Sequence, residues 1–375
     1  MPSARLLASA EPLAARYDVA LLDLDGVVYV GGDEVPGASV ALAAAREQGM
    51  RLAFVTNNAS RPPAVVAEHL TRLGIPASAL EVITSAQAAA HYLAERLPSG
   101  SRVLVLGTTG LTEALTERGL VPVMTADEDP RAVVQGYSPD ADWRMLAEGA
   151  VAIRRGLPWV ATNLDATVPS PRGPLPGNGS LVAALRHATG TTPVSTGKPD
   201  PTMHRETVER SGARRPIVVG DRLDTDIGGA NAAGCASLAV LTGVTSPAEL
   251  LAAPEQYRPT YLAHDLGGLL VAHPGPQVTE GTVDCAGWAA RARAGRLHLS
   301  RERGDDTRNG AAGDGAAADS AAGDGAAPSG GSVGPAASSM DALRCLCVAA
   351  WINAATECVA EDAPAQAALA ELGLA

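Results

Sequence analysis

The sequence predicts an α/β fold: a parallel-sheet core, a second α/β unit inserted into it, and a C-terminal extension. Strand-like and helix-like segments alternate from about residue 15 to 270, which is typical of parallel sheets with helical crossovers. The strand segments are short apolar runs, as expected for strands buried on both faces. A length of 375 residues is sufficient for two or three domains.

Composition excludes several classes of function. The formal charge of −12 argues against nucleic-acid and anionic-membrane partners, both of which require basic surface, although a small anionic substrate can still bind locally. No apolar stretch approaches the 18 residues of a membrane span. The five cysteines are odd in number and irregularly spaced, which indicates a reducing, cytoplasmic setting rather than a disulfide framework.

The first predicted strand, 19–22, is followed by Asp23, Asp25 and the turn residue Gly26. In open α/β sheets, ligands bind in the crevice outside the carboxyl ends of the strands. We therefore interpret Asp23 as a nucleophile and Asp25 as its acid/base partner. After a helix at about 39–48, the second strand ends in Thr56, Asn57 and Asn58, whose hydroxyl and amide groups we expect beside this pair.

The predicted core comprises residues 1–84 and 192–273, and the inserted unit comprises residues 85–191. In the second core part, Lys198 stands in a loop before a helix, and a strand at 216–219 ends in Gly220 followed by Asp221 and Asp226. The inserted unit closes with a proline-rich loop, 168–179, that we expect to reach a ligand.

The C-terminal extension is predicted in three pieces. Residues 274–301 are expected to form a small hairpin segment, and residues 302–339, rich in Gly, Ala and Asp, a disordered linker. Residues 340–375 are expected to form a helical segment, with one helix over 340–359.

Polar groups at several strand ends in one sheet indicate a phosphate site, although a single Asp-x-Asp more often serves a turn. Asp23, Asp221 and a backbone carbonyl are oxygen ligands that suit Mg²⁺. With Lys198, the cation would neutralise a phosphoryl group attacked by Asp23, while Asp25 moves protons. Thr56 and Asn57 would hold the phosphoryl oxygens.

Four motifs in this order resemble the haloacid dehalogenase-type phosphatase superfamily. They are Asp23-Leu24-Asp25-Gly26, Thr56-Asn57-Asn58, Gly197-Lys198-Pro199 and the segment from Gly220 to Asp226. The insert between the second and third motifs resembles the branch with a large α/β (C2) cap, which includes nitrophenylphosphatase-like, phosphoglycolate, pyridoxal phosphate and nucleotide phosphatases. The resemblance implies a Rossmann-like parallel-sheet core with an inserted α/β cap domain.

The resemblance also implies roles for individual residues. Asp23 would be the nucleophile and Asp25 the acid/base, with Mg²⁺ bound by Asp23, the Asp25 carbonyl and Asp221. Asp226 would support the metal site, and phosphate would be bound by Thr56, Asn57, Asn58 and Lys198. The segments Thr162-Asn163-Leu164-Asp165 and Pro176-Gly177-Asn178-Gly179-Ser180 match cap and hinge patterns shared by members with different substrates.

The predicted activity is a Mg²⁺-dependent phosphomonoesterase acting on a small phosphorylated metabolite through an aspartyl-phosphate. Glycerol 3-phosphate ranks first as substrate, because the extension resembles an actinobacterial subgroup with a reduced acetyltransferase-like tail. The alternatives are phosphoglycolate, a nucleoside monophosphate or pyridoxal phosphate, then a phosphomutase, and then a binding module that acts through its tail. We expect a cytoplasmic enzyme, a candidate homodimer, without nucleic-acid or membrane partners.

Overall fold

The computed structural model describes residues 6–168, 172–173, 175–301 and 338–375. The described residues form two compact units, one within Met1–Gly275 and the other within Pro276–Ala375. The predicted linker, apart from its last two residues, and the middle of the proline-rich loop lie outside the described residues. Within the described ranges, no helix has both the length and the apolar character that crossing a membrane requires.

The first core segment alternates strands and helices. Its elements are α1 Leu13–Arg16, β1 Val19–Leu22, β2 Tyr29–Val30, β3 Asp33–Glu34, α2 Ala38–Glu47, β4 Arg51–Thr56, α3 Pro63–Arg72 and β5 Val82–Thr84.

The inserted unit, hereafter the cap, follows without a long linker. Its elements are α4 Ser85–Ala94, β6 Arg102–Leu106, α5 Thr109–Glu117, β7 Val121–Val123, β8 Ala132–Gln135, α6 Trp143–Arg154, β9 Trp159–Ala161, β10 Thr167–Val168, β11 Leu175–Pro176, α7 Asn178–Thr189 and β12 Val194–Ser195. Because β12 pairs with β9, the cap sheet extends slightly beyond the boundary expected at residue 191.

The second core segment returns the chain to the first sheet. Its elements are α8 Thr202–Ser211, β13 Pro216–Gly220, α9 Gly228–Ala233, β14 Ala236–Val240, α10 Pro247–Leu251 and β15 Tyr261–Ala263. A wide helical turn, Leu223–Ile227, connects β13 to α9.

The core sheet aligns the carboxyl ends of strands that are distant in sequence. Its six strands are all parallel, in the order β15-β14-β13-β1-β4-β5. Leu22 at the end of β1 lies opposite Val219 of β13 and Phe54 of β4. Apolar side chains pack on both faces of this sheet. The polar residues that follow these three strands are therefore brought to one edge.

The cap is a smaller parallel sheet in the order β12-β9-β8-β6-β7. Two apolar clusters cover it, one including Leu111 and Leu115 of α5 and the other including Ile153 of α6 and Leu185 of α7. Val103 and Val105 of β6 face the first cluster, whereas Leu104 and Leu106 face the second. Burial on both faces explains why β6 is apolar at each position after Arg102.

The second unit differs from the predicted hairpin and helices. It is a five-stranded sheet with two helices: β16 Gln277–Thr279, β17 Thr282–Cys285, β18 Trp288–Arg293, β19 Arg296–Arg301, α11 Ser339–Asn353, β20 Cys358–Ala360 and α12 Ala363–Glu371. The helix expected over 340–359 ends at Asn353, because Ala354 adopts a left-handed φ of 52°. The chain then forms β20, which pairs in parallel with β19.

Candidate active site

Asp23 leaves the end of β1 at the centre of the core sheet. Its backbone amide donates to Val219 O (2.9 Å), which continues the pairing between β1 and β13 by one residue. Its carboxylate Oδ1 lies 2.5 Å from Lys198 Nζ. The register of the sheet therefore presents this carboxylate at the carboxyl edge.

Lys198 reaches this edge from the loop between β12 and α8. Its Nζ donates to Asp23 Oδ1 (2.5 Å), Asp226 Oδ1 (2.7 Å) and Val55 O (3.3 Å), which uses all three protons of the ammonium. The residue is only 4% exposed. It is also the one lysine of the chain, since all the other basic residues among the 29 are arginines. A compact three-proton donor suits this position, whereas a planar guanidinium would not.

Asp221 follows β13 and is enclosed by backbone. Its Oδ2 accepts a hydrogen bond from Val244 N (2.7 Å), and its carbonyl accepts one from Thr245 N (3.0 Å). A Cβ on Gly26 would lie 2.5 Å from Asp221 Oδ2, and Gly26 has a φ of 86° that favours glycine. Gly26 is therefore needed for both the turn and the close approach of this carboxylate.

The charge balance of the cluster is negative. Asp23, Asp221 and Asp226 bring carboxylate oxygens within 4.8 Å of one another. Burial, and then the charge of Asp226, hold the pKa of Asp23 well above its usual range against the opposing effect of Lys198. Burial and the charge of Asp226 also raise the pKa of Asp221 to about 6. Burial disfavours the Lys198 ammonium, but Asp226 and Asp23 outweigh it and raise the pKa of Lys198.

These residues fit a divalent cation. When all three carboxylates are ionised, they leave two negative charges against the one ammonium, and one such cation would neutralise these. Asp221 Oδ1 is buried and has no hydrogen-bond partner among the described residues, although such oxygens are normally satisfied. Both Asp226 oxygens already accept hydrogen bonds, from Lys198 Nζ and from Arg222 N (3.1 Å). Asp226 is therefore better suited to positioning Lys198 than to binding a metal directly.

Asp25 lies beside this cluster. Burial raises the pKa of Asp25, while Lys198 and Arg61 act in the opposite direction. A carboxyl group with a raised pKa is suited to giving and taking a proton near neutral pH. Arg61 was not singled out from the sequence, because an isolated arginine in a loop carries no motif signal.

Thr56, Asn57 and Asn58 lie at the end of β4 as expected, but their side chains bind protein groups. Thr56 Oγ1 accepts from Asn58 N (3.0 Å), and Asn58 Oδ1 accepts from Ser60 N (2.9 Å). Asn57 Oδ1 accepts from Lys198 N (2.9 Å). Phosphate binding by these three residues stays a prediction, and the Asn57 side chain has a second role in fastening the Lys198 loop.

The loop after β14 is a part of the site that sequence reasoning missed. Val244 and Thr245 hold Asp221, and Thr242 Oγ1 donates to Gly26 O (2.6 Å). These contacts come mostly from backbone amides, which any residue supplies, so residue type carried no signal. The position of the loop at the carboxyl end of β14 was the available indication.

Comparisons with known proteins agree with this geometry. Family models described as haloacid dehalogenase-like hydrolase and HAD-hydrolase-like match residues 20–121 and 195–269. A D-glycerol 3-phosphate phosphatase of Mycobacterium tuberculosis is 51% identical over 257 residues, which are 68% of this chain and 72% of that protein. The chain belongs to the haloacid dehalogenase-like hydrolase family.

Other members of the haloacid dehalogenase-like family match over similar or greater lengths. An acid sugar phosphatase of Staphylococcus saprophyticus is 37% identical, and the match covers 97% of that protein and 68% of this chain. The crystal structure of glycerol phosphate phosphatase from Mycobacterium tuberculosis in complex with magnesium has a TM-score of 0.83 and 40% identity, covering 98% of this chain and 100% of that one. A p-nitrophenyl phosphatase from Archaeoglobus fulgidus has a TM-score of 0.63 and 30% identity, over 68% and 98% of the two chains.

These relatives confirm two predictions for this haloacid dehalogenase-like protein. The fold class, a Rossmann-like parallel-sheet core with an inserted α/β cap, is confirmed. The enzyme class, a phosphoric monoester hydrolase, is also confirmed, because the matching relatives are phosphatases. The individual roles of the site residues stay predictions.

Proposed function

We propose that the chain hydrolyses glycerol 3-phosphate to glycerol and phosphate, with Mg²⁺ and through an aspartyl-phosphate on Asp23. The observation that carries the substrate is the 51% identity to a D-glycerol 3-phosphate phosphatase. The magnesium complex of the Mycobacterium tuberculosis phosphatase and the unpartnered Asp221 Oδ1 support the metal. Asp23, the Asp25 carbonyl and Asp221 would hold it.

The chemistry follows from the positions of the side chains. Bound Mg²⁺ would neutralise charge on the phosphoryl oxygens. Asp23 attacks phosphorus, and the bond from phosphorus to the glycerol oxygen breaks. The Asp25 carboxyl group gives its proton to that leaving oxygen. Lys198 orients Asp23 and offsets the charge that builds up around phosphorus.

Hydrolysis of the intermediate reverses the role of Asp25. The Asp25 carboxylate takes a proton from a water molecule, whose oxygen attacks phosphorus. The bond between phosphorus and Asp23 then breaks, which releases phosphate and restores the carboxylate. The buried surroundings that raise the pKa of Asp25 favour this exchange of protons.

A sugar phosphate is a second candidate substrate, because the Staphylococcus saprophyticus relative is an acid sugar phosphatase. The deciding experiment measures phosphate release from glycerol 3-phosphate, phosphoglycolate, pyridoxal phosphate, nucleoside monophosphates and sugar phosphates, each with and without Mg²⁺. We expect the highest kcat/KM for glycerol 3-phosphate and no turnover without the metal. Equal, low values across the panel, or turnover indifferent to Mg²⁺, would be evidence against the proposal.

The cellular setting and assembly state belong to the same proposal. A cytoplasmic enzyme is supported by five cysteines that are all free in the structure. The charge of −12 supports the absence of nucleic-acid and anionic-membrane partners. A homodimer is tested by light scattering during gel filtration, and a mass equal to one chain would contradict it.

A further inference from the structure

The loop between β4 and α3, residues 57–61 and hereafter the β4 loop, lies where a ligand would bind to the cap sheet. In that sheet, neighbouring strands β6 and β8 lead to helices on opposite faces, α5 and α6. A crevice opens outside the carboxyl ends of two strands whose connections diverge in this way, and it is the usual ligand position of open α/β sheets. In this chain the core's own loop occupies the crevice.

Ala59 is the part of the β4 loop that enters the cap. It is 1% exposed and belongs to the same apolar cluster as Leu111 of α5. A Cβ on Gly136, just after β8, would lie 3.1 Å from the Ala59 Cβ. A Cβ on Gly110, in the first turn of α5, would lie 2.4 Å from the Ala59 carbonyl oxygen and 3.0 Å from Arg61 N. The two cap glycines therefore leave the space that the loop fills.

The hydroxyl of Thr108 bonds to the β4 loop rather than to its own helix. Thr108 is the N-cap residue of α5, a position at which a threonine hydroxyl normally accepts a hydrogen bond from a backbone N–H of the first turn. The structure describes all of α5, and no such bond forms within it. Instead, Thr108 Oγ1 donates to Ser60 O (2.7 Å). A group suited to capping a cap helix is thus used to hold a carbonyl of the core.

The start of the β4 loop is bonded to the cap through Asn57. The Asn57 carbonyl oxygen accepts from Ser85 Oγ (2.6 Å), at the start of α4, and from Asn163 Nδ2 (2.7 Å), after β9. The Asn57 side chain accepts from Lys198 N (2.9 Å), and Lys198 Nζ in turn donates to Asp23 Oδ1 (2.5 Å). A displacement of the β4 loop would therefore be passed through Asn57 to Lys198 and its contact with Asp23.

We propose that Thr108 and Gly110 of the cap are positioning residues for the reaction: they hold the β4 loop so that Asn57 and Lys198 keep their places beside Asp23. This inference rests on the proposed phosphatase function and deepens it. In the proposed mechanism, the residues that the loop positions act on the phosphoryl group, which all phosphomonoesters share. The contribution of the two cap residues is therefore the same for substrates with different leaving groups.

The first test uses Gly110→Ala. The added methyl group cannot lie 2.4 Å from a carbonyl oxygen, so the β4 loop and α5 must move apart. Gly149→Ala is the matched control, because it makes the same change in another cap helix, α6, where the added Cβ would lie 2.5 Å from Leu106 Cδ1 inside the cap. Both changes crowd a cap helix, but only Gly110→Ala crowds the β4 loop.

Two quantities are measured with Mg²⁺. The first is kcat/KM for glycerol 3-phosphate and for p-nitrophenyl phosphate. The second is the competitive inhibition constant of inorganic phosphate, which has no leaving group and whose value does not depend on the fraction of folded enzyme. In Gly110→Ala we expect kcat/KM to fall about tenfold to hundredfold, by the same factor for both substrates, and the inhibition constant to rise at least about threefold. Gly149→Ala should leave the inhibition constant unchanged.

The second test separates the hydroxyl of Thr108 from its size, and it remains decisive if Gly110→Ala does not fold. Thr108→Val keeps the size but loses the donor to Ser60 O, whereas Thr108→Ser keeps the donor. We expect the inhibition constant of phosphate to rise about twofold to tenfold in Thr108→Val, the range for one hydrogen bond. In Thr108→Ser it should stay at the wild-type value.

An inhibition constant that is unchanged in both Gly110→Ala and Thr108→Val would overturn the inference. A fall in kcat/KM confined to glycerol 3-phosphate would also overturn it, because the two cap residues would then act on the leaving group. Failure of the proposed function looks different, because the wild-type chain itself would prefer another phosphomonoester or turn over without regard to Mg²⁺. The inhibition constants and the p-nitrophenyl phosphate values of the variants would still decide the inference in that case.

Discussion

Replacing Lys198 by methionine removes the ammonium that lies between Asp23 and Asp226. The methionine side chain has a similar length, so the change is mainly one of charge and hydrogen bonding. Three donated hydrogen bonds are lost, to Asp23 Oδ1 (2.5 Å), Asp226 Oδ1 (2.7 Å) and Val55 O (3.3 Å). In the metal-free protein, the carboxyl groups of Asp23 and Asp226 then lie close together without the positive charge of the Lys198 ammonium.

The magnitude follows from the burial of the group. Removing one partner of a buried ion pair costs about 3–5 kcal/mol, because the charge left behind is desolvated and unpaired. Lys198 is 4% exposed and Asp226 1%, so solvent screening does not reduce this cost much. We therefore expect Lys198→Met to lower the free energy of unfolding of metal-free protein at pH 7.5 by about 3–5 kcal/mol. We also expect kcat/KM to fall at least about a hundredfold, the effect of losing one preorganised electrostatic contact.

The assay is urea unfolding followed by circular dichroism, with kcat/KM measured on the same preparations in Mg²⁺. Arg210→Met is the control, since Arg210 is an exposed cation on α8 and its removal also changes the net charge by one. The control should lose less than about 0.5 kcal/mol. A loss below about 1 kcal/mol in Lys198→Met, or turnover within tenfold of wild type, would refute the charge balance described for this site.

Three further outcomes are expected. Asp23→Asn should reduce turnover at least about a thousandfold, because the proposed nucleophile is lost. It should not lower the melting temperature of the metal-free protein, because burial and neighbouring carboxylates already disfavour the ionised Asp23. A clear drop in melting temperature would contradict this explanation. Asn57→Ala should lower the free energy of unfolding by about 1–3 kcal/mol in urea denaturation, because the Lys198 N–H is left unpaired; an unchanged free energy would contradict the fastening role of Asn57. Burial, and to a smaller extent the charge of Lys198, lowers the pKa of His204 to about 3. Below pH 6.5 the folded protein therefore binds fewer protons than the unfolded chain. The free energy of unfolding should fall as pH falls from 6.5 toward 3. This loss is up to about 1.4 kcal/mol per pH unit, and it should be absent from the pH dependence of His204→Gln. If the free energy of unfolding changed equally with pH in the wild type and in His204→Gln, this role of His204 would be excluded.

The core and the cap could be predicted because their signals are local. Buried parallel strands such as β1 and β13 are apolar runs that end in polar residues, and the parallel arrangement then brings Asp23 and Asp221 together. The order of the motifs along the chain was therefore enough to predict the acidic cluster and the presence of Lys198 in it.

The parts that were missed depend on pairing across long sequence separations. Strand β20 pairs with β19 across about sixty residues, and its three residues carry no alternation of their own. The second unit was accordingly expected to be a hairpin with helices rather than a sheet. Asn57 illustrates a different limit. Its residue type predicts phosphate binding, whereas its contacts with Lys198 N and Asp165 Oδ2 become visible only in the structure.

The burial of Lys198 has a practical consequence for covalent chemistry on this chain. Because Lys198 is the one lysine of the chain, amine-directed reagents find a single side-chain amine, and the folded protein conceals it between two carboxylates. Acylation or reductive methylation of that ε-amino group therefore requires the site to open and the ammonium to lose a proton. An isotope-labelled methyl group placed there would give one side-chain resonance, distinct from that of the α-amino group, and that resonance would report on the surroundings of Asp23 and Asp226 at the carboxyl edge of the core sheet.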